Sequence, residues 1–286
     1  MLGIVALIVY QLIDIGWREV LRSLPTHPMF YVLFVIMFLD LPVSEIFIYR
    51  LVWPFRKWEG FKAFITKRVY NQEVIGYAGE FYLFLWGRKQ AKKPDKEIFK
   101  NIRDNSILSS ISSNLVAIVL IGLLLYTGVI GAGDILGNHN TVYFIAAVIL
   151  FIAAIALVVQ FRNYLFDLPL QKAAICFSIY LSRFLFHHAI LVLQWLIVLP
   201  DSPLSMLFLL MAIYIIVNRI PFIPSKDLVF MWAGIEFSRV LDVTTASIAG
   251  MLLVTSALKK VTNLTLFLLI SYYSKDSDIQ KAARPE

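Results

Sequence analysis

Cysteine is nearly absent from this chain. Cys176 is the only one in 286 residues, so no disulfide can close within the chain and no cysteine-based zinc array can form. Charge is scarce too: Asp, Glu, Lys and Arg make up 16% of the residues, where soluble domains carry about 25%. There is no G-x-S-x-G, no H-E-x-x-H and no glycine-rich phosphate loop. Without these motifs nothing fixes a nucleophile or a metal, and no cofactor is implied. The start of the chain has no cationic stretch followed by an A-x-A site, so it does not read as a cleaved signal peptide.

What the sequence has in excess is apolar surface. Hydrophobic residues make up 59% of it and the mean hydropathy is +0.77. At about 20 residues per crossing, the length suits an all-α, polytopic transmembrane helix bundle of about seven spans. We expect a single membrane domain over residues 1–274 and a short charged tail over 275–286. The net charge is +7 and it is concentrated: between Trp53 and Asp104 there are twelve Lys or Arg against six Asp or Glu. Positively charged loops stay on the cytosolic side, so the basic loop 88–105 is expected in the cytosol of a cell inner-membrane protein. The same charge suits anionic lipid headgroups. Nucleic acid is not an expected partner, because the basic residues flank membrane spans.

Two segments break the apolar pattern. Residues 218–239 bring Asn218, Arg219, Pro221, Pro224 and the pair Lys226-Asp227 between two apolar runs, then Glu236 and Arg239. Irregular, charged backbone at membrane depth is tolerated only where protein or a water-filled cavity covers it. Residues 68–88 hold Asn71, Glu73 and Glu80 among aromatics and glycines, framed by Lys67-Arg68 and Arg88-Lys89. That framing predicts a segment that enters the membrane and returns to the same face. Trp58 to Thr66, before it, reads as an interfacial helix or as a buried core helix.

The remaining runs are spans with costly insertions. Met29 to Trp53 carries Asp40, Pro42 and Glu45; the acids should face the interior and the proline can kink the helix. Ser106 to Ile130 begins polar, and Thr141 to Phe161 is the cleanest lipid-compatible run. Ala173 to Leu199 contains Arg183, His187 and His188. Adjacent histidines diverge by about 100° on a helix, so they form no i,i+4 metal pair. Val243 to Tyr273 is interrupted by Lys259-Lys260, which cannot share one narrow face.

The two broken segments share a plan, each ending on Arg before a long span with a polar start. Paired interruptions in two halves point to a transporter-like site near the midplane. Counting crossings, with Leu204 to Val217 as a full span, makes the spans before the breaks parallel. One miscounted segment would invert the relation, so the symmetry stays open at this level.

The stretch Ile220 to Asp227 and its surroundings resemble the transmembrane region of the lysylphosphatidylglycerol synthase, or flippase-like, family of bacterial and archaeal membrane proteins. In that family a Pro-Gly-Gly-rich segment and an acidic residue precede a final span with a basic residue. Here Ser225-Lys226-Asp227 stands where glycines are expected, and Lys259 or Lys260 takes the basic position. Asn71, Gly79, Glu80 and Arg88 match an earlier polar segment before a basic loop. The resemblance implies a module that binds and translocates a phospholipid or other polar lipid. No counterpart of the aminoacyl-transferring domain accompanies it, so no lysyl transfer is implied. The expected lipid-binding residues are Arg183, His187, Arg219, Ser225, Lys226, Asp227, Glu236, Lys259 and Lys260, with Asn71, Glu73, Glu80 and Arg88. Two other readings remain: an intramembrane enzyme of lipid or polyprenyl metabolism, and a non-catalytic subunit of a membrane complex. A homodimer is a further possible assembly.

Overall fold

A computed structural model describes residues 2–74, 77–126, 167–219, 226–240 and 245–273, and all regular structure among them is helical. The helices are α1 (Leu2–Ile15), α2 (Trp17–Arg22), α3 (Pro28–Arg50), α4 (Lys57–Glu73), α5 (Ala78–Ala91), α6 (Asp95–Tyr126), α7 (Leu170–Val198), α8 (Leu204–Arg219), α9 (Lys226–Val240) and α10 (Thr245–Tyr273). Four of them, α3, α6, α7 and α10, are long and apolar enough to cross a membrane. This is a helical membrane protein. The run Thr141 to Phe161 and the tail 275–286 lie outside the described residues.

Local chemistry sets several boundaries. Gly16 takes φ +97°, a conformation that side chains resist, and it separates α1 from α2. α3 opens with Pro28 at its first position, where a missing N–H costs nothing, and His27 Nδ1 accepts from Met29 N at 3.2 Å. Three sequence expectations change here. The basic stretch 88–105, expected as a loop, is mostly helix: α5 runs to Ala91, α6 starts at Asp95, and only Lys92–Pro94 connect them. The interfacial helix Trp58 to Thr66 is the first half of α4, a packed helix in which Phe64 is fully buried while Trp58 is 65% exposed. Lys67-Arg68 lie within α4, so they do not frame a membrane entry.

α4 and α5 form a helical hairpin, and so do α8 and α9. Their arms of 14 to 17 residues measure about 21–26 Å at 1.5 Å per residue, less than the hydrocarbon thickness of about 30 Å. Leu204 to Val217 is therefore an arm of a hairpin, and the span preceding the second break is α7. α3 and α7 run antiparallel: Gln194 Nε2 donates to the Phe30 carbonyl at 2.9 Å near one end, and Lys172 Nζ donates to the Leu51 carbonyl at 2.9 Å at the other. The parallel repeat suggested by crossing count is replaced by an inverted one.

Packing follows the same two-fold plan. α4 lies on α3 and α10, while α8 lies on α7 and α6; α5 packs on α6, as α9 packs on α10. A single offset along the chain carries Asp40 onto His187, Asn71 onto Asn218 and Glu80 onto Asp227. Each hairpin has its own core. Trp53, Phe64, Leu83 and Ile98 pack around the first, and Trp195, Leu207, Leu210 and Phe230 around the second. The hairpins enter from opposite ends of the bundle, and both tips end beside the middle of α10.

Candidate functional site

The tips meet at two successive lysines. Lys259 Nζ reaches Asp227 Oδ1 at 2.7 Å, in the first turn of α9. Lys260 Nζ reaches Glu73 Oε2 at 2.5 Å, in the last turn of α4. One turn further on, Asn263 Nδ2 donates to Gln72 Oε1. Neighbouring helical positions point about 100° apart, so the two lysines serve different hairpins. Asn71 Oδ1 accepts from Gly79 N at 2.7 Å, which satisfies a free donor at the start of α5. A Cβ on Gly79 would lie 2.1 Å from the Lys67 carbonyl oxygen, so only glycine lets the two arms approach this closely. On the second hairpin Lys226 Nζ donates to the Asn218 carbonyl at 2.8 Å.

Next to the tips lies a cluster built by Pro42. Proline has no N–H to donate four residues back, so the Phe38 carbonyl is left without its usual intrahelical donor. Arg68 donates to that carbonyl and lies 4.1 Å over the Phe38 ring. Asp40, on the same turn of α3, has Oδ2 3.7 Å from His187 Nδ1. Lys259 also lies 5.5 Å from the Tyr214 ring centroid. Arg183 rests on the rings of Phe184 and Tyr180, at 4.6 and 5.3 Å. Among the described residues neither Arg68 nor Arg183 has a carboxylate within 4 Å, and Arg68 Nε is buried without a partner.

Two spaces open on this cluster. A groove of about 670 Å³ runs between α3 and α7, lined by Asp40, Ser44, Phe47, Ser178, Ser182 and Arg183 among others. A smaller cavity of about 360 Å³ lies between α6, α7 and α8, with Ser109, Ser110, Ser113, His187, His188, Tyr214 and Asn218 on its walls. Both fall in the size range of small-molecule sites.

A second buried group sits one residue away on α4. Lys67 is hydrogen-bonded to Glu45 of α3 and lies 3.6 Å from Glu80 of α5. Glu45 Oε2 and Glu80 Oε2 are buried without partners. This triad ties the first hairpin to α3.

The expected site residues therefore divide. Arg183, His187, Lys226, Asp227, Lys259, Lys260, Asn71 and Glu73 gather around the tips. Glu80 belongs to the Lys67 triad. Two others lie elsewhere. Glu236 accepts from Gln11 Nε2 at 2.6 Å and fastens α9 to α1; Arg88 pairs with Asp95 at 2.9 Å where α5 meets α6, at the base of the hairpin. Ser225 and the side chain of Arg219 lie outside the described residues. Sequence reasoning missed Arg68 and underused Asp40. The available signal was Pro42, whose helix must present an unbonded carbonyl four residues earlier.

The chain matches no protein-family model, no curated protein and no solved structure in the comparisons made.

Proposed function

We propose that this protein binds the anionic headgroup of a membrane lipid at the meeting point of its hairpin tips and moves that lipid between leaflets. One observation carries the reading: among the described residues around the tips, the cations Arg68, Arg183, Lys226, Lys259 and Lys260 outnumber the carboxylates Asp40, Glu73 and Asp227, and neither guanidinium group has a carboxylate within 4 Å. Cations inside a membrane bundle are expensive unless matched, and an anionic ligand supplies the match. The first turns of α5 and α9 add the positive ends of two helix dipoles, which favour negative charge. The groove and the cavity offer space for a headgroup beside apolar walls.

In this reading the membrane elements number seven: α3, α6, α7 and α10, the two hairpins, and the apolar run Thr141 to Phe161 of the sequence. The end bearing Arg50, Lys57, Arg88, Lys92 and Lys172 faces the cytosol, and the membrane is the cell inner membrane. The resemblance to the lysylphosphatidylglycerol synthase transmembrane family belongs to the same proposal.

The test is lipid movement in reconstituted liposomes. Fluorescent anionic lipids should exchange leaflets faster with the protein than in empty liposomes, and zwitterionic analogues should exchange less. If no lipid class, anionic or zwitterionic, moves faster than in empty vesicles, the translocation claim fails.

A further inference from the structure

The two halves of the chain are equivalent in plan but occupy different states. At the tip of the second hairpin, α6 and α8 part far enough to hold the 360 Å³ cavity, with Ser113, His187, Tyr214 and Asn218 on its walls. The offset that relates the halves takes these four residues to Lys260, Asp40, Lys67 and Asn71. In the first half the corresponding place is filled. Asn71 is bonded to the Gly79 N–H, Lys67 to Glu45, and Lys260 to Glu73. Tyr70 meets Phe267 edge-on at 6.2 Å between ring centroids. The Arg68 side chain lies between α3 and α4, on Phe38.

From this asymmetry we infer an alternating-access cycle. In the structure described, the α6–α8 seam is open at the hairpin tip and the α4–α10 seam is closed there. In the other state the halves exchange roles: the Glu73–Lys260 and Gln72–Asn263 contacts part, and α8 closes on α6. Because the repeat is inverted, the two openings lead from the same central cations to opposite faces of the membrane. Two halves with one plan have two related packings, and the contacts that favour one seam's closure compete with those that favour the other. The pairing of Asp40 with His187 lies where α3 and α7 cross, between the two seams, and both states can retain it.

The inference rests on the lipid-moving reading only for its cargo, so it is tested without cargo. In a Cys176→Ala background, which removes the buried native thiol, Asn218→Cys and Asn71→Cys are placed singly in proteoliposomes. A membrane-impermeant maleimide is then added on one side or the other. Asn218→Cys should react several-fold faster from the face where α5 joins α6, toward which the cavity extends past Ser109 and Ser110, because Leu120, Leu124, Leu207 and Leu210 are buried in the core on the side of the other face. Asn71→Cys should react several-fold faster from the opposite face, where α7 joins α8. Gln72→Cys is run in parallel, because Asn71→Cys also removes a cap; it should give the same sidedness as Asn71→Cys. Cross-linking Ser110→Cys to Asn218→Cys should abolish leaflet exchange in any vesicle where the uncross-linked variant shows it. If positions 71 and 72 are inert from both faces, or react from the same face as 218, the exchange of states is wrong. Opposite-face labelling without lipid movement would keep the cycle and retire the lipid as cargo.

Discussion

Asp40 and His187 hold equivalent places in the two halves of the chain, and their side chains face one another at 3.7 Å across the α3–α7 crossing. A residue and its own counterpart can meet only near the axis that relates them. The pair therefore marks the centre of the repeat, and the charged side chains around it belong to both halves.

Lys259 is predicted to matter more for ligand than for folding. Its partner Asp227 is 45% exposed at the side chain, and half-exposed pairs contribute at most about 1 kcal/mol. Lys259→Met should thus lower thermal stability little. Binding of a short-chain anionic lipid should weaken by about tenfold, the loss expected for one charge-assisted hydrogen bond. Titration calorimetry of wild type and variant in the same micelle measures the difference.

The Lys67 triad should behave in the opposite way. Lys67→Met leaves Glu45 buried without its cation, a change that costs about 3–5 kcal/mol. The double variant Lys67→Met/Glu45→Gln should recover most of that loss. Denaturant unfolding followed by tryptophan fluorescence reads both, and a stable single variant would contradict the assignment.

Gly79→Ala places a methyl group against the Lys67 backbone oxygen. Overpacking of this kind costs about 1–3 kcal/mol, and here the obstacle is backbone, which cannot swing away. Gly122→Ala is the control, since its Cβ meets nothing within 4 Å. Alanine there should be neutral or slightly stabilising, by up to about 1 kcal/mol of helix propensity. Melting temperatures of both variants in one detergent decide the comparison.

Asp167 gives a pH dependence. Hydrogen bonds from Lys100 and then Arg103 hold its carboxyl below the ordinary value. Its folded pKa therefore lies below its unfolded one. The stabilisation is complete above the unfolded pKa, about 3.9 for aspartate, and fades as pH falls through the folded value. Asp167→Asn should flatten the acid end of the stability–pH curve and leave the neutral end lower by a small amount. A curve of unchanged shape would show that the clamp on α6 is not formed in solution.

The class of fold was legible from composition, and the broken segments 68–88 and 218–239 were legible as interruptions. Two things were hidden for physical reasons. A hairpin arm such as Leu204–Arg219 is as apolar as a full span, because it too is wrapped by protein and lipid; length alone separates them, and the expectation gave it a full crossing. Arg68 was hidden because a basic pair beside an aromatic stretch looks like a membrane boundary. Its interior role depends on the carbonyl released by Pro42 on a different helix, a tertiary relation that no local pattern contains. Glu236 shows the converse: an acid in an apolar run suggested a binding role, but its partner is Gln11 of the N-terminal helix, and its work is to hold two helices together.

The shortness of the hairpins has an electrical consequence. In the proposed cycle an open seam leads from one face nearly to the hairpin tips, and the insulating path between aqueous compartments narrows to the closed seam beside Lys259 and Lys260. A membrane potential then falls mainly over that short distance. An anion carried through it crosses most of the voltage in one small displacement, so one net charge moved is driven or opposed by up to about 2.3 kcal/mol per 100 mV.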